Sequence, residues 1–414
     1  QPMRRVSSSL TMTFRRFFAS ESAGGKLLIG CTLYSILIAN SPLAGGYLGL
    51  WHLKVLGLSL ELWVNDALMA VFFLLIGLEL ERELYVGELS DLRNALLPLA
   101  AAIGGMLVPA LVHFAFNAGT PTQGGFGIPM ATDIAFALGV LAMLGNRVPA
   151  ALKVFVVAFA VIDDLGAIIV IAVFYTANLS FAYLGAALII WAGLVLLNRL
   201  RVMMLAPYLA GGVAMWFCFL HSGVHATLAG VLLAFAIPFS ARQEDENSPS
   251  YRLEHALHRP VAFVILPVFA LANTGIVVSA NWADGLVSAN SMGIGAGLML
   301  GKPIGVLLAS LAVVAAGLCG LPEGVRWRHI LGAGLLGGIG FTMSIFITNL
   351  AFAVQPEIVN ASKMAILLSS TCAGIFGYLS CPGADGRSAG RPSGGVVLSA
   401  RPALILPWSS RFGD

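Results

Sequence analysis

The sequence predicts an all-α polytopic membrane protein of about twelve transmembrane helices, on three observations. Only 10% of its 414 residues are charged, against roughly 25% in a soluble domain, while 58% are hydrophobic and the mean hydropathy is +0.89. Apolar windows long enough to cross a hydrocarbon core recur at about 14–39, 60–81, 95–116, 126–144, 151–175, 181–198, 204–220, 223–239, 260–279, 290–317, 329–352 and 358–380. Basic residues fall in every second connection: Arg82 and Arg93, Arg147 and Lys153, Arg199 and Arg201, Arg242 with Arg252 and Arg259, and Arg326 with Arg328. The alternate connections near 117–125, 176–180, 221–222, 280–289 and 353–357 carry no Lys or Arg, and Lys54 in the first outer loop is the exception. Because Lys and Arg are retained on the cytoplasmic side, the number of spans is even and both termini are cytoplasmic.

The flanks and composition bound the rest. Residues 1–13 read as a cytoplasmic tail, 14–382 as the transmembrane domain, and the Gly/Pro/Ser-rich 383–414 as a disordered cytoplasmic tail. The basic start (Arg4, Arg5, Arg15, Arg16) runs into a long apolar stretch with no small-residue cleavage site, the pattern of an uncleaved first span. Cys31, Cys218, Cys319, Cys372 and Cys381 are scattered and form no CxxC pair, so neither a disulfide framework nor a zinc site is expected. A net charge of +3 points to no nucleic-acid partner. No nucleotide-binding loop occurs, which leaves an ion gradient as the energy source.

Taken in order, the second span ends in Leu78-Glu79-Leu80-Glu81-Arg82-Glu83 and carries a shallow Asp66. The fourth is entered through Pro121, Gly124, Gly125, Gly127 and Pro129, just before Ala131-Thr132-Asp133. Pro129 donates no backbone hydrogen bond and disfavours helix in the residue before it, so this span is expected to be interrupted. The eleventh carries Gly332, Gly334, Gly337, Gly338 and Gly340 before Phe341-Thr342-Met343-Ser344, and is expected to be interrupted too. The two lie seven spans apart, an odd offset that reverses orientation. This predicts inverted repeats, spans 3–5 (about 95–175) matching spans 10–12 (about 290–382), with ordinary glycine-rich packing as the alternative. Unwound backbone at that depth is tolerated only where it faces protein or a water-filled cavity.

The fifth span holds the decisive residues. Val154 to Tyr175 is 22 residues, enough to cross a core roughly 30 Å thick, and is apolar or small except for Asp163 and Asp164. One aspartate at that depth costs on the order of 2.5–3.5 kcal/mol, and two ionised neighbours repel each other besides. The pair is therefore read as binding something positive: a cation, protons, or a lysine from another helix. The plainer alternative is a buried polar tie between helices. Lys302, in the tenth span between Gly301 and Pro303, needs a carboxylate partner, and as a purely structural counter-ion it would need no more. Neighbours on a helix point about 100° apart, so one aspartate faces the ion cavity and the other faces Lys302 or a second proton site. Asp133 and Thr132, on interrupted backbone, offer oxygens or balance exposed helix ends.

Two runs near helix ends, Glu79–Glu83 and Arg252-Leu253-Glu254-His255-Ala256-Leu257-His258-Arg259, mix Glu, His and Arg. Such clusters can latch in response to pH, although from the residues alone a solvated helix end with cytoplasmic positive charges is the favoured reading. His225 in the eighth span either tunes a pH response or is a hydrogen-bonded core histidine.

The run Ala131-Thr132-Asp133-Ile134-Ala135-Phe136-Ala137-Leu138-Gly139-Val140 resembles the bacterial NhaA-type sodium/proton antiporters. So do Ile162-Asp163-Asp164-Leu165-Gly166-Ala167-Ile168, Ser222-Gly223-Val224-His225-Ala226-Thr227-Leu228-Ala229-Gly230, Gly301-Lys302-Pro303 and Gly338-Ile339-Gly340-Phe341-Thr342-Met343-Ser344-Ile345-Phe346. The match covers roughly residues 14–380, and this family is itself a type case of inverted repeats with broken helices. The resemblance implies a bacterial inner-membrane transporter, not an enzyme, that needs no cofactor. It implies electrogenic exchange, with Na+ or Li+ leaving and a larger number of protons entering, for pH and sodium homeostasis and with activation at alkaline pH. It implies Asp164 and Asp163 as the Na+ and proton site, with Asp133 and Lys302 compensating the broken-helix dipoles. It turns Glu79, Arg82, Glu83, Glu254, His255 and His258, with His225, into a pH-sensing region, and departs from the family in Glu81, where a lysine is common. It also implies a homodimer held by a β-hairpin, here the stretch Tyr47 to Leu58.

Elementary chemistry agrees. Na+ is a hard ion and prefers carboxylate, hydroxyl and backbone oxygens. Protons and Na+ then compete for the same carboxylates, and alternating exposure converts competition into exchange. A Na+-coupled solute symporter of similar fold is the alternative and needs an additional substrate pocket. An intramembrane aspartyl protease is disfavoured, because the GxGD pattern is absent and the carboxylates lie side by side on one helix.

Overall fold

In hydrocarbon each backbone N–H and C=O must be satisfied within the protein, so the long apolar runs fold as helices. The computed structural model describes residues 23–144, 148–176, 179–240, 248–278 and 282–380; the expected tails, 1–13 and 383–414, lie outside them. In chain order the helices are α1 (Ala23–Ala39), α2 (Ala44–Trp51), α3 (Leu60–Tyr85), α4 (Asn94–Asn117), α5 (Ile134–Leu144), α6 (Ala150–Phe174), α7 (Phe181–Arg199), α8 (Leu205–Ser222) and α9 (Leu228–Ala234). They continue as α10 (Pro249–Asn273), α11 (Trp282–Leu286), α12 (Ala289–Ala315), α13 (Trp327–Gly337), α14 (Phe341–Ala351) and α15 (Pro356–Ser380). Eight of these are each long and apolar enough to cross a membrane; α1 with α2 and α13 with α14 raise the number to ten. The other two expected spans are α5 and α9, each short and each preceded by non-helical backbone. The chain is thus an all-α polytopic membrane protein.

Both expected interruptions are present. Before α5 the chain makes a 3₁₀ turn at Gln123–Gly127 and has no regular secondary structure through 131–133. Between α13 and α14 the helix breaks at 338–340 and bends by 45°.

Three expectations need correction. The eighth span was expected to be helical over 223–239, but helix is confined to α9. Gly223 ends α8 in a left-handed conformation (φ 84°), and a turn follows at Ala226 and Thr227. The ninth span was expected to begin near 260, with Arg252 to Arg259 in a loop. Instead helix starts at Pro249, with the Ser248 hydroxyl accepting from Tyr251 N–H at 3.3 Å as its cap. That first stretch is amphipathic: Leu253 and Glu254 are buried while Arg252, His255 and Arg259 are exposed. Finally, the hairpin expected over Tyr47 to Leu58 is narrower. Tyr47 to Trp51 belong to α2, and only β1 (Lys54–Val55) and β2 (Leu58–Ser59) pair, antiparallel, about Leu56 and Gly57 at φ 53° and 88°. Two successive positive φ values give the tight turn whose twist matches a two-residue hairpin.

Helices α4 and α12 cross with their backbones in contact. A Cβ on Gly104 would lie 2.2 Å from the Gly305 carbonyl oxygen, and one on Gly305 would lie 2.1 Å from that of Gly104. Small residues permit this approach, which replaces the missing hydrophobic drive between helices in lipid. The breaks of α5 and α13–α14 then fall beside α6, between two apolar clusters centred on Phe155 and Phe159 and on Phe73, Phe269 and Phe346.

Candidate functional site

Every helix end leaves backbone groups without an intrahelical partner. At the crossing of the two broken segments those groups satisfy one another. Thr132 Oγ1 donates to Gly337 O (2.9 Å) and Asp133 N–H to Ile339 O (2.6 Å), taking up carbonyls at the end of α13. The Asp133 carboxylate serves two helix N-termini at once. Its Oδ1 accepts from Phe136 N–H (3.1 Å) in the first turn of α5; its Oδ2 accepts from Thr342 N–H (3.0 Å) and Thr342 Oγ1 (2.7 Å) in the first turn of α14. No side chain of its own caps α14, so an anion lent from the other segment meets the positive end of its dipole. Ser344 Oγ donates to Ile128 O (2.7 Å), closing the crossing from the far side.

Helix α6 brings its two aspartates alongside and points them apart. Asp163 Oδ2 accepts from Lys302 Nζ at 2.7 Å, both side chains wholly buried. Lys302 also donates to Met130 O, in the broken segment before α5, and lies 5.8 Å from the Phe159 ring centroid. Asp164 turns the other way, into a cavity of about 50 Å³ that it shares with Thr132, Asp133, Thr342 and Met343. Its Oδ1 is buried with no hydrogen-bonding partner among the described residues. A hole of that size holds one or a few small species. Its polar wall is made of carboxylate and hydroxyl oxygens, the donor set of a hard cation.

The same cavity is lined on its far side by Glu79 from α3 and His258 from α10, whose carboxylate and ring nitrogen are 3.8 Å apart. One turn further along α3, Arg82 pairs with Glu254 of α10 at 2.7 Å and lies 3.8 Å from Glu83. Glu79, Arg82, Glu83, Glu254 and His258 are thus brought together. His255 is not: it is exposed, bonded to Tyr251 O and packed on the Tyr251 ring. His225 is not either: it stands 3.9 Å from Asp66 and against the Phe346 ring, toward the start of α3. Glu81, the departure in the motif, is buried with its carboxylate 3.4 Å from Ser250 Oγ.

The sequence reading passed over Thr342 as a site residue, the Met130 carbonyl, and Lys363, a lysine buried in α15. A threonine directly after the glycines of a broken span was the available signal for the first. A lysine among Ala, Ile and Leu was the signal for the last. The carbonyl had none.

The sequence model of one family, Na+/H+ antiporter 1, matches residues 15–380. A protein of Dechloromonas aromatica (strain RCB) named Na(+)/H(+) antiporter NhaA is 65% identical over 378 residues, 91% of this chain and 97% of that one. Na(+)/H(+) antiporter NhaA 1 of Flavobacterium johnsoniae is 58% identical over 370 residues, 89% of this chain and 96% of its own. The Na(+)/H(+) antiporter NhaA of Vibrio parahaemolyticus serotype O3:K6 is 51% identical over 366 residues, 88% and 95% of the two.

Proposed function

The chain belongs to the Na+/H+ antiporter 1 family, and on that premise we propose how its own residues exchange the two ions. It is a transporter, not an enzyme. Na+ (or Li+) binds Asp164 as principal ligand, with oxygens of Thr132, Asp133 and Thr342 around it. The observation that supports this most directly is the Asp164 carboxylate, which lines a largely apolar cavity with Thr132, Asp133 and Thr342 and has one oxygen buried without a partner among the described residues. Leaving a buried carboxylate oxygen unpaired is costly unless something binds there in the working cycle.

Asp163 trades between Lys302 and the ion. When a cation enters, Asp163 is drawn toward it and the Lys302 pair is released; when protons return, the pair re-forms. Asp164 gives up one proton to admit Na+, and the Lys302 ammonium, left buried without its counter-charge once Asp163 turns to the cation, gives up a second, so the exchange moves net charge. Protons entering down their gradient expel Na+ from the cell. The reciprocal crossing of α5 with α13–α14, each helix end satisfied by the other segment, supports reading 95–175 and 290–382 as inverted repeats. The basic connections support placing both termini in the cytoplasm of a bacterial inner membrane. The exposed Lys54–Val55 strand offers an edge for a second copy, and we assign the homodimer contact to that hairpin.

The ion pairs Arg82–Glu254 and His258–Glu79 join α3 to α10 at the mouth of the Asp164 cavity. We assign pH activation to them: protonation there changes the charge that guards the entrance. Exchange is therefore expected to fall steeply below neutral pH. The test is cation-triggered dequenching of a pH-sensitive dye in everted vesicles. The native chain responds to Na+ or Li+ with no other solute present, which a solute symporter does not, and Asp164→Asn is silent. Normal Na+-dependent proton flux in Asp164→Asn overturns the assignment.

A further inference from the structure

The Asp164 cavity adjoins Glu79 and His258 at one end, so the other end must be shut. Three asparagines meet there. Asn349 Nδ2 donates to Asn273 Oδ1 at 2.5 Å, and Asn273 Nδ2 donates to Asn65 Oδ1 at 2.8 Å and to Phe269 O at 3.0 Å. They come from three helices: Asn349 from the last turn of α14, Asn273 from the last residue of α10, and Asn65 from the first turns of α3. On all three helices the cavity residues lie inward of these asparagines: Thr342 and Met343 on α14, Leu266 and His258 on α10, Phe72, Ile76 and Glu79 on α3.

Between the asparagines and the cavity lies a second layer. Phe346, one turn inward on α14, packs on Phe73 of α3 with ring centroids 5.8 Å apart, and on Phe269, one turn inward on α10, at 6.5 Å. All three rings are buried. From the outside inward the order on α14 is Asn349, Phe346, Met343, and on α10 it is Asn273, Phe269, Leu266. Apolar rings exclude water but hold helices together weakly in a lipid surround, whereas amide bonds are directional and fix one arrangement.

The bonds also join parts that must move relative to each other. Helix α14 is tied through Asp133 to the broken segment before α5 and so to the ion site. Helices α3 and α10 are tied to each other at the far end by Arg82 and Glu254. The Asn349–Asn273 bond is thus a tie between the ion-carrying crossing and the α3–α10 pair.

We propose that Asn349 and Asn273, oriented by Asn65, form the gate that closes the outer route to the Asp164 cavity, with Phe73, Phe269 and Phe346 as the water-tight plug beneath it. It rests on the exchange reading in requiring that the site be reached from two sides in turn. In the state seen here the gate is closed. Opening it requires the Asn349 amide to leave Asn273, after which α14 carries Phe346 away from Phe73 and Phe269. These are positioning residues: they set which face the site sees and need not touch the ion.

The test reads access rather than activity. Met343→Cys, in a background with the native cysteines replaced by serine, places a thiol on the cavity wall. Its rate of reaction with a membrane-impermeant maleimide is measured from each face in right-side-out and everted vesicles. Asn349→Ala raises the outer-face rate by about two- to tenfold, the range that the loss of one such hydrogen bond sets, and lowers the rate from the other face. Asn349→Asp keeps the size of the side chain but removes the donor, and does the same; it serves if Asn349→Ala does not fold. Asn65→Ala leaves the Asn349–Asn273 bond in place and shifts the rate less. Outer-face rates unchanged in both Asn349 variants overturn the gate and leave the exchange reading standing. Loss of Na+-triggered dequenching in the otherwise native chain overturns the exchange reading, and the access rates still decide the gate.

Discussion

Lys302 and Asp163 are wholly buried and 2.7 Å apart, so each charge is tolerable only because the other is there. Removing one partner of such a pair leaves an uncompensated charge and typically costs about 3–5 kcal/mol, while removing both can be nearly neutral. Lys302→Ala is therefore expected to lower the thermal midpoint of the detergent-purified protein sharply, and Asp163→Asn in the same chain to restore most of it. A double variant as unstable as Lys302→Ala would mean that the lysine acts through Met130 O or the Phe159 ring rather than through the aspartate. Asp133 invites a finer cut. Thr342→Val keeps the backbone N–H bond to its carboxylate and removes only the hydroxyl, at an expected cost of about 1–3 kcal/mol. Because Thr342 also lines the cavity, its KM for Na+ should rise while Thr132 and Asp164 stay in place; an unchanged KM would take Thr342 out of the ion's surroundings.

The α4–α12 crossing is where elements rather than residues carry the fold. An added methyl on Gly104 would meet the Gly305 carbonyl oxygen at 2.2 Å, backbone that cannot rotate out of the way. Overpacking of this kind costs about 1–3 kcal/mol or forces the helices apart. Gly104→Ala and Gly305→Ala are expected to lower the thermal midpoint alike, while Gly185→Ala, whose methyl meets nothing within 4 Å, does not. This contact also marks what the sequence could tell. Length and hydropathy located α4, α6 and α12 within a few residues, because a helix that crosses lipid has little freedom in length or composition. The same measure misjudged 223–239, which is apolar enough for a span but is turned by Gly223. It also missed the start of α10, where amphipathic residues fold as helix behind the Ser248 cap. Asp163, Asp164 and Lys302 were legible because a charge at that depth has few explanations. His255 and His258 were not distinguishable, since three residues on a helix surface separate an exposed ring from one beside Glu79. The asparagine chain left no trace, its bonds joining residues 76 and 208 positions apart in the sequence.

For the whole molecule the exchange reading reduces to linkage between two kinds of ligand on shared oxygens. If Na+ binding expels n protons, its apparent affinity falls by about tenfold per proton for each unit the pH drops, as long as those groups keep their protons until Na+ binds. Asp164 alone accounts for one proton, because it lines the cavity and has a carboxylate oxygen with no hydrogen-bonding partner among the described residues. A second comes from the Lys302 ammonium, and only if Asp163 leaves it to join the ion, so n measures whether the salt bridge participates. Calorimetry of Na+ binding in buffers of different ionisation enthalpy gives n directly. The native protein is expected to release more than one proton per ion at neutral pH, and Asp163→Asn close to one, with a correspondingly shallower pH dependence of affinity. The inequality follows from geometry: the two carboxylates have different surroundings on α6, one against Lys302 and one on the cavity wall. If n were the same in both proteins, Asp163 would be a fixed structural counter-charge and the net charge moved per cycle would need another source. If n were zero, Na+ and protons would not share Asp164, and alternating access of that site could not couple the two gradients.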